Sequence, residues 1–413
     1  MPPRRKTTKF KGQIPNELVH FIVEELDALL VKVPDRRRTG CNIARVCKSW
    51  MKFGYALAWK KRIFALRLKK DILGGVVKHL KASPTAAAAV EELTIDGPGK
   101  NSFWPREGGL EDLFRMCINL TNLTVDAAAS RAITLLDAVL STGNDRLTHL
   151  KISTCGHHEE PFSPVDLIRI ISSFPALTSL VILVMFPASL DAPLPVAPAP
   201  LPVLQLSHLT VNLSNEWGNS LPHLRDAFFK SLLPMLNPTA LESCHNDLLT
   251  RDTALYDWLP QCTNLQDLHL MCFAGQGPDE VADVTKILTA LSTYNKLRHF
   301  LLLFGFADHG IVPLAARQAL LDAAPTSLET FSCGIPLKPD SPPLTTFLES
   351  RLDSALRTFR TAYLKRNEQG EAVWLSTDQR AFNFVSLKKV EGEEGERKWI
   401  ETDRQNSWPH STP

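Results

Sequence analysis

The sequence predicts an α/β chain: a small helical module followed by a long solenoid with parallel strands on its inner face and helices outside. Three observations carry this expectation. Ten short phrases built on Leu-x-x-Leu recur beyond residue 90, and helical patterns lie between them. Residues 14 to 64 carry apolar residues at helical spacing. Finally, residues 1–70 hold 18 Lys and Arg against 5 Asp and Glu, whereas the remainder holds 28 against 39, so the two regions are expected to meet differently charged partners.

The chain has 413 residues, 44% of them hydrophobic, enough for a large buried core. Its eight cysteines include no CxxC pair, so they do not form a dense disulfide framework; reduced thiols in a cytoplasmic or nuclear protein are expected. The opening MPPRRKTTKFKG has charge without an apolar stretch behind it, which reads as a basic disordered tail over residues 1–13 and not as a signal peptide. The longest apolar run, Leu180 to Phe186, is seven residues. A membrane span needs about 20, so no membrane partner is expected. The basic N-terminal region lacks a CxxC...HxxxH finger and its aromatics read as core, so nucleic acid is not expected either.

From Ile14 the chain reads IPNELVHFIVEELDALL, with Leu18, Phe21, Ile22, Val23, Leu26, Leu29 and Leu30 mostly at helical steps. Pro15 suits the first turn of that helix, where a missing N–H costs nothing. Lys32 to Gly40, with Pro34 and three consecutive arginines, reads as a solvated loop. NIARVCKSWMKFGYALAWKKRIF then predicts at least two further short helices, with Ile43, Val46, Cys47, Trp50 and Phe53 on one stripe. A segment of about 50 residues buries only about 60% of its surface alone, so this many large apolar residues imply an outside surface to pack on. One such surface is the following domain, with the helices as its cap.

Ile14-Pro15-x-x-Leu18, the apolar helix, and Ala44-Arg45-Val46-Cys47-Lys48-Ser49-Trp50 resemble the F-box motif. The resemblance covers residues 14 to 64. It implies a three-helix module that docks on a Skp-type adaptor and, through it, on the cullin and RING subunits of a ubiquitin ligase. Pro15, Leu18, Ile22, Val46, Cys47 and Trp50 would then form the adaptor-facing or motif-core set.

After a helical linker expected over residues 65–89, the phrases VEELTI, LTNLTV, LTHLKI, LTSLVI, LSHLTV, LESCHN, LQDLHL, LRHFLL, LETFSC and LRTFRT span residues 90–365. Their fourth residues are Leu93, Leu123, Leu150, Leu180, Leu209, Cys244, Leu268, Phe300, Phe331 and Phe359, spaced about 30 residues apart. Apolar residues at this anchor and two positions later, with polar ones between, have the period of a strand with one buried face. GLEDLFRMCINL, SPVDLIRIISSF, DEVADVTKILTALSTY and VPLAARQALLDAA read as helices between strands. A unit of about 30 residues cannot bury its own apolar face, but ten stacked units build a continuous core. The pattern resembles leucine-rich repeats, and its combination with an F-box resembles fungal F-box proteins with degenerate repeats. That resemblance implies a substrate receptor of an SCF-type ligase without chemistry of its own. The alternative is a repeat scaffold not coupled to a ligase.

One connection departs from the unit. Six prolines from Pro187 to Pro202 exclude a helix there and predict an extended strap. Residues 366–413 read as a short capping element and a frayed tail.

Candidate chemistry is sparse. Cys155-Gly156-His157-His158-Glu159-Glu160 has metal-ligand residue types but no second cluster at finger spacing, so a loop and no metal site is expected. Asp96-Gly97-Pro98-Gly99-Lys100-Asn101 lacks the glycine spacing and the Ser or Thr of a phosphate loop. No GxSxG, HExxH or GxGxxG occurs, so neither enzymatic activity nor a cofactor is expected. The residues on either side of each anchor form two columns facing away from the core. His269, His299 and Leu301 gather imidazoles and an exposed aliphatic there, and are the expected protein-substrate site, with binding that weakens as the histidines charge near pH 6.

Overall fold

The computed structural model describes residues 16–29, 33–46, 48–65, 72–97, 109–143, 146–154, 162–186, 203–215, 222–249, 253–273, 290–305, 314–336, 342–364, 374–376, 379–380, 382–392 and 396–405. They form an α/β protein whose strands pair mostly in parallel, in an open sheet. The chain divides into two units, one of residues 1–127 and 134–147, the other of residues 128–133 and 148–413. The proline strap, the Cys155 to Glu160 segment and most of DEVADVTKILTALSTY lie outside the described residues.

The first unit begins with three helices, α1 (Asn16–Leu29), α2 (Val33–Ala44) and α3 (Lys48–Trp59). Val19 and Val23 of α1, Ile43 of α2 and Leu57 of α3 form their shared core, with Leu26, Trp50 and Phe53 packed against it. The loop expected over Lys32 to Gly40 is corrected by α2. Pro34 stands in the first turn with Asp35, where a missing N–H is harmless and a carboxylate meets the positive end of the helix dipole. Helical apolar spacing is absent from α2 because it approaches α3 through a glycine. A Cβ at Gly40 would stand 2.6 Å from both the Ala58 nitrogen and the Gly54 oxygen.

The chain then forms β1 (Lys61–Ala65), where a helix and the start of a linker were expected. β1 has no Leu-x-x-Leu phrase, so the repeat signal did not reach it; it pairs in parallel with β2 (Glu92–Gly97), which pairs in parallel with β3 (Asn122–Ala127). Between them run α4 (Ile72–Ala82), α5 (Pro84–Ala88) and α6 (Gly109–Met116). The Trp59 ring of α3 stacks on His79 of α4, with centroids 5.0 Å apart. Helix α7 (Ala129–Ser141) follows β3.

The second unit places β4 (His149–Ser153), β5 (Ser179–Phe186), β6 (His208–Asn215), β7 (Ser243–Leu249), β8 (Asp267–Phe273), β9 (His299–Gly305), β10 (Thr330–Pro336) and β11 (Thr358–Leu364) side by side in chain order. Every neighbouring pair is parallel. Helices α8 (Pro164–Ser172), α9 (Pro222–Leu232), α10 (Thr253–Trp258), α11 (Leu314–Ala323) and α12 (Pro342–Ser350) lie between strands in the chain. All ten anchors from Leu93 to Phe359 are buried, and so are Asn246 and Thr361, the polar residues standing where other strands carry aliphatics.

A repeated hydrogen-bond pattern holds the register. The Thr148 oxygen accepts from the Thr178 and Ser179 nitrogens, Thr178 from Ser207 and His208, Ser207 from Glu242 and Ser243, and Glu242 from Gln266 and Asp267. The same forked contact recurs at Gln266, Arg298 and Glu329. Since a one-residue slip would turn every side chain to the opposite face, this repetition keeps both columns aligned from strand to strand.

Beyond β11 the pairing reverses. β14 (Phe382–Glu391) lies antiparallel to β11, and β15 (Arg397–Gln405) antiparallel to β14, while β12 (Trp374–Ser376) and β13 (Gln379–Arg380) form a separate ribbon. Val385 and Leu387 extend the core past Phe359. The Lys389 ammonium donates to the Leu352 and Ser354 oxygens at 3.1 and 2.6 Å, binding the residues after α12 to β14. Trp399 Nε1 donates to the Leu348 oxygen at 2.9 Å.

Candidate functional site

Two surfaces carry the residues singled out in the sequence. The first is on the helices of the first unit. Because Val19 and Val23 turn inward, the neighbouring face of α1 presents Leu18, Phe21 and Ile22 outward at 54%, 58% and 42% exposure. Val46, at the turn after α2, is 60% exposed, and Met51 on α3 is exposed too. These are five of the eight large exposed apolar side chains among the described residues, so the exposure is concentrated on one helical module. Trp50 is half-buried against the Val19–Val23 core and braces the module from inside. The shared stripe expected of Val46 and Trp50 therefore splits, one side chain outward and the other inward. Pro15 and Cys47 lie outside the described residues. Phe21 and Met51 were missed as surface residues, since helical spacing does not say which of two adjoining apolar faces is buried. Arg37, Arg38, Arg45 and Lys52 are exposed on the same helices, leaving the module basic.

The second surface is the face of the second unit's strands opposite the anchors. Here His269 pairs in register with Leu301, and Asp267 with His299, so the three expected substrate residues do adjoin on β8 and β9. His245, in the same column, was not among the expected substrate residues. It pairs with His269, and their rings stack face to face at 4.0 Å with an interplanar angle of 4°. His245 Nε2 also lies 3.3 Å from the Ser243 hydroxyl. Leu301 is half-buried and not exposed, which corrects the expected apolar projection: flanking strands with a side chain at every paired position cover part of it.

The stack also alters the electrostatics. Burial pushes His245 below its ordinary value; Asp267 opposes the shift and His208 adds to it. Burial, followed by the nearby His245 and His299, pushes His269 down to about 4. The expected charging near pH 6 is therefore corrected for His269, because burial of its ring, reinforced by the neighbouring histidines, favours the neutral form. At neutral pH the stacked pair is an uncharged aromatic strip, with Asp267 beside it.

Other reactive groups face the core. Burial pushes the Cys117 and Cys244 thiols up to about 12, far from the thiolate form, and Cys262 is raised further. Among the described residues no three His, Cys, Asp or Glu side chains converge to hold a metal, and no helix is long and apolar enough to cross a membrane. In comparisons with known proteins, the chain matches no family model and no curated sequence.

Proposed function

We propose that the chain is the substrate-recognition subunit of an SCF-type cullin-RING ubiquitin ligase. The first three helices act as an F-box that docks on a Skp-type adaptor, and the strand–helix units form a leucine-rich-repeat-like solenoid that holds a protein substrate. Cullin and RING subunits supply the catalysis, and the complex works in the cytoplasm or nucleus. The observation that carries this reading is the outward exposure of Leu18, Ile22 and Val46 on helices that already own a core. Exposed apolar clusters of this kind mark interfaces. In support of the substrate role, the two columns flanking the buried anchors give an extended row of side chains outside the core.

A second reading is an uncoupled scaffold in which these helices only cap the following strands. The stacking of Trp59 on His79 favours a capping contribution. A cap alone, however, has no use for Leu18, Phe21, Ile22 and Val46 on its outer side. Co-purification of the full chain with a Skp-type adaptor and a cullin separates the two readings: recovery of both supports the ligase, and recovery of neither supports the scaffold.

A further inference from the structure

The helical module turns charge outward as well as apolar side chains. Gly40 marks the side of α2 that meets α3, because a Cβ there would collide with the Ala58 nitrogen and the Gly54 oxygen. At about 100° per residue, Arg38 and Arg45 fall on the opposite side, seven residues apart and so about 10 Å along one stripe. The Arg45 and Val46 nitrogens donate to the Asn42 and Ile43 oxygens at 3.2 and 3.0 Å, a tight last turn that carries the stripe past Ala44. Arg37, Arg38 and Arg45 are all exposed.

These guanidiniums differ from the other surface cations. Lys81 pairs with Asp112, Lys230 with Asp226, Arg298 with Glu329 and Arg397 with Asp353. Among the described residues, Arg37, Arg38 and Arg45 have no carboxylate partner. Like charges gathered on one short helix repel one another, and a partner of opposite sign relieves that repulsion. The cations also adjoin the exposed apolar side chains. Arg45 directly precedes Val46, and Lys52, whose ammonium lies 4.7 Å from the Phe53 ring centroid, directly follows Met51. On α1 the sign is opposite, because the exposed Glu25 stands seven residues after Leu18, at the end of the row of Leu18, Phe21 and Ile22. Asp35, also exposed, lies in the first turn of α2 against the positive end of its dipole.

We propose that the α2 side of this module docks against a protein surface that carries carboxylates beside an apolar groove, and that Arg38 and Arg45 steer the adaptor onto the exposed apolar row. The row supplies the lasting contact. The arginines set approach and orientation, because charges at the rim of an interface act mainly on the association rate. Glu25 disfavours the reversed orientation, in which the partner's carboxylates would face α1. A nucleic acid would satisfy the arginines but leave the interleaved aliphatics unmatched along its phosphate backbone. The inference rests on the reading of these helices as an adaptor-docking module and adds the sign of charge on the adaptor's facing surface.

The test measures association and dissociation rates of a purified Skp-type adaptor on the full chain at about 50 mM and about 500 mM salt. In the wild type the association rate is expected to fall about tenfold or more as salt rises, with the dissociation rate nearly constant. The double variant Arg38→Gln, Arg45→Gln should associate several-fold more slowly at low salt, lose most of the salt dependence and dissociate at the wild-type rate. Lys230→Gln, on α9 and paired with Asp226, should match the wild type. Both arginines are exposed, so the double variant keeps its fold, and a thermal melt checks this. Adaptor association that ignores salt, or that is equally fast in the double variant, overturns the inference and leaves the ligase reading in place. A chain that binds no adaptor at either salt concentration removes both, and its retention of a duplex DNA or single-stranded RNA probe assigns the face to nucleic acid instead.

Discussion

Gly40 of α2 and Gly54 of α3 face each other where the two helices cross, so closely that a Cβ on Gly40 would sit 2.6 Å from the Gly54 carbonyl oxygen. A Cβ on Gly54 would collide with the backbone nitrogen of Ala44. At this crossing the two helices pack backbone against backbone, which leaves no room for a side chain at either glycine.

The first prediction follows from that crossing. Gly54→Ala is expected to destabilise the helical module by about 1–3 kcal/mol, because the obstacles are backbone atoms that cannot rotate away. Gly75→Ala in α4 is the control: its Cβ meets nothing within 4 Å, and alanine gains up to about 1 kcal/mol over glycine inside a helix. Thermal melts followed by circular dichroism decide. Equal melting temperatures for the two variants would contradict the close crossing.

The second prediction concerns the exposed helical face. Leu18→Asp and Val46→Asp alter side chains that already meet water, so folding stability should change by no more than about 0.5 kcal/mol while adaptor co-purification is lost. Trp50→Ala differs, because its ring is part of the packing: it should lose up to about 3 kcal/mol as well as the adaptor. Pull-down of the folded variants checks both halves. An adaptor retained by Leu18→Asp and Val46→Asp sinks the F-box reading.

The repeat register was legible because each strand carries its own signal. A leucine or phenylalanine anchor flanked by polar residues needs no knowledge of its neighbours, and Leu93 through Phe359 are all buried as that pattern requires. What failed depends on partners distant in sequence. Helix α2 is held by Gly40 meeting Gly54 on another helix, and apolar periodicity does not record a glycine contact. Strand β1 owes its conformation to pairing with β2 through Phe64 and Ile95, and β14 to pairing with β11. At the candidate site, the columns were readable from alternation. The stacking of His245 on His269 was not, since it depends on which strands adjoin and in what register.

The third prediction tests the inner register through a polar exception. Asn246 stands on β7 where neighbouring strands carry Val211 and Leu270, and its Oδ1 is buried without a hydrogen-bond partner. Its amide nitrogen donates to the Cys244 sulfur at 3.0 Å, a weak acceptor. Asn246→Leu should therefore be neutral or stabilising by up to about 2 kcal/mol, against the usual trend of core substitutions. Leu268→Ala, removing a buried anchor, should cost about 2–5 kcal/mol, and Lys151→Ala less than about 0.5 kcal/mol. Urea midpoints of the three variants give the comparison. A loss of several kcal/mol for Asn246→Leu would show instead that the buried amide is satisfied or that the site has no room for leucine.

The fourth prediction concerns acid. His269 has its folded-state value pushed from 6.5 to about 4 by burial and its histidine neighbours, and His245 is shifted in the same direction. A depressed histidine binds its proton more readily in the unfolded chain, so unfolding takes up protons once the pH falls below about 6.5, and stability declines with falling pH down to about 4. For His269, the full linkage between pH 6.5 and pH 5 is about 2 kcal/mol, and solvent screening of a half-buried ring reduces it to about 1 kcal/mol. Protonation also breaks the neutral stack, since two parallel imidazoles at 4.0 Å cannot both carry charge without strong repulsion. The expected result is a urea midpoint that falls between pH 7 and pH 5 in the wild type and falls less in the His245→Asn, His269→Asn double variant. Any partner that lies on this strip should hold its affinity through pH 6 and lose it nearer pH 4 to 5. A partner released in step with an ordinary histidine, at pH 6 to 7, is not contacting the stacked pair.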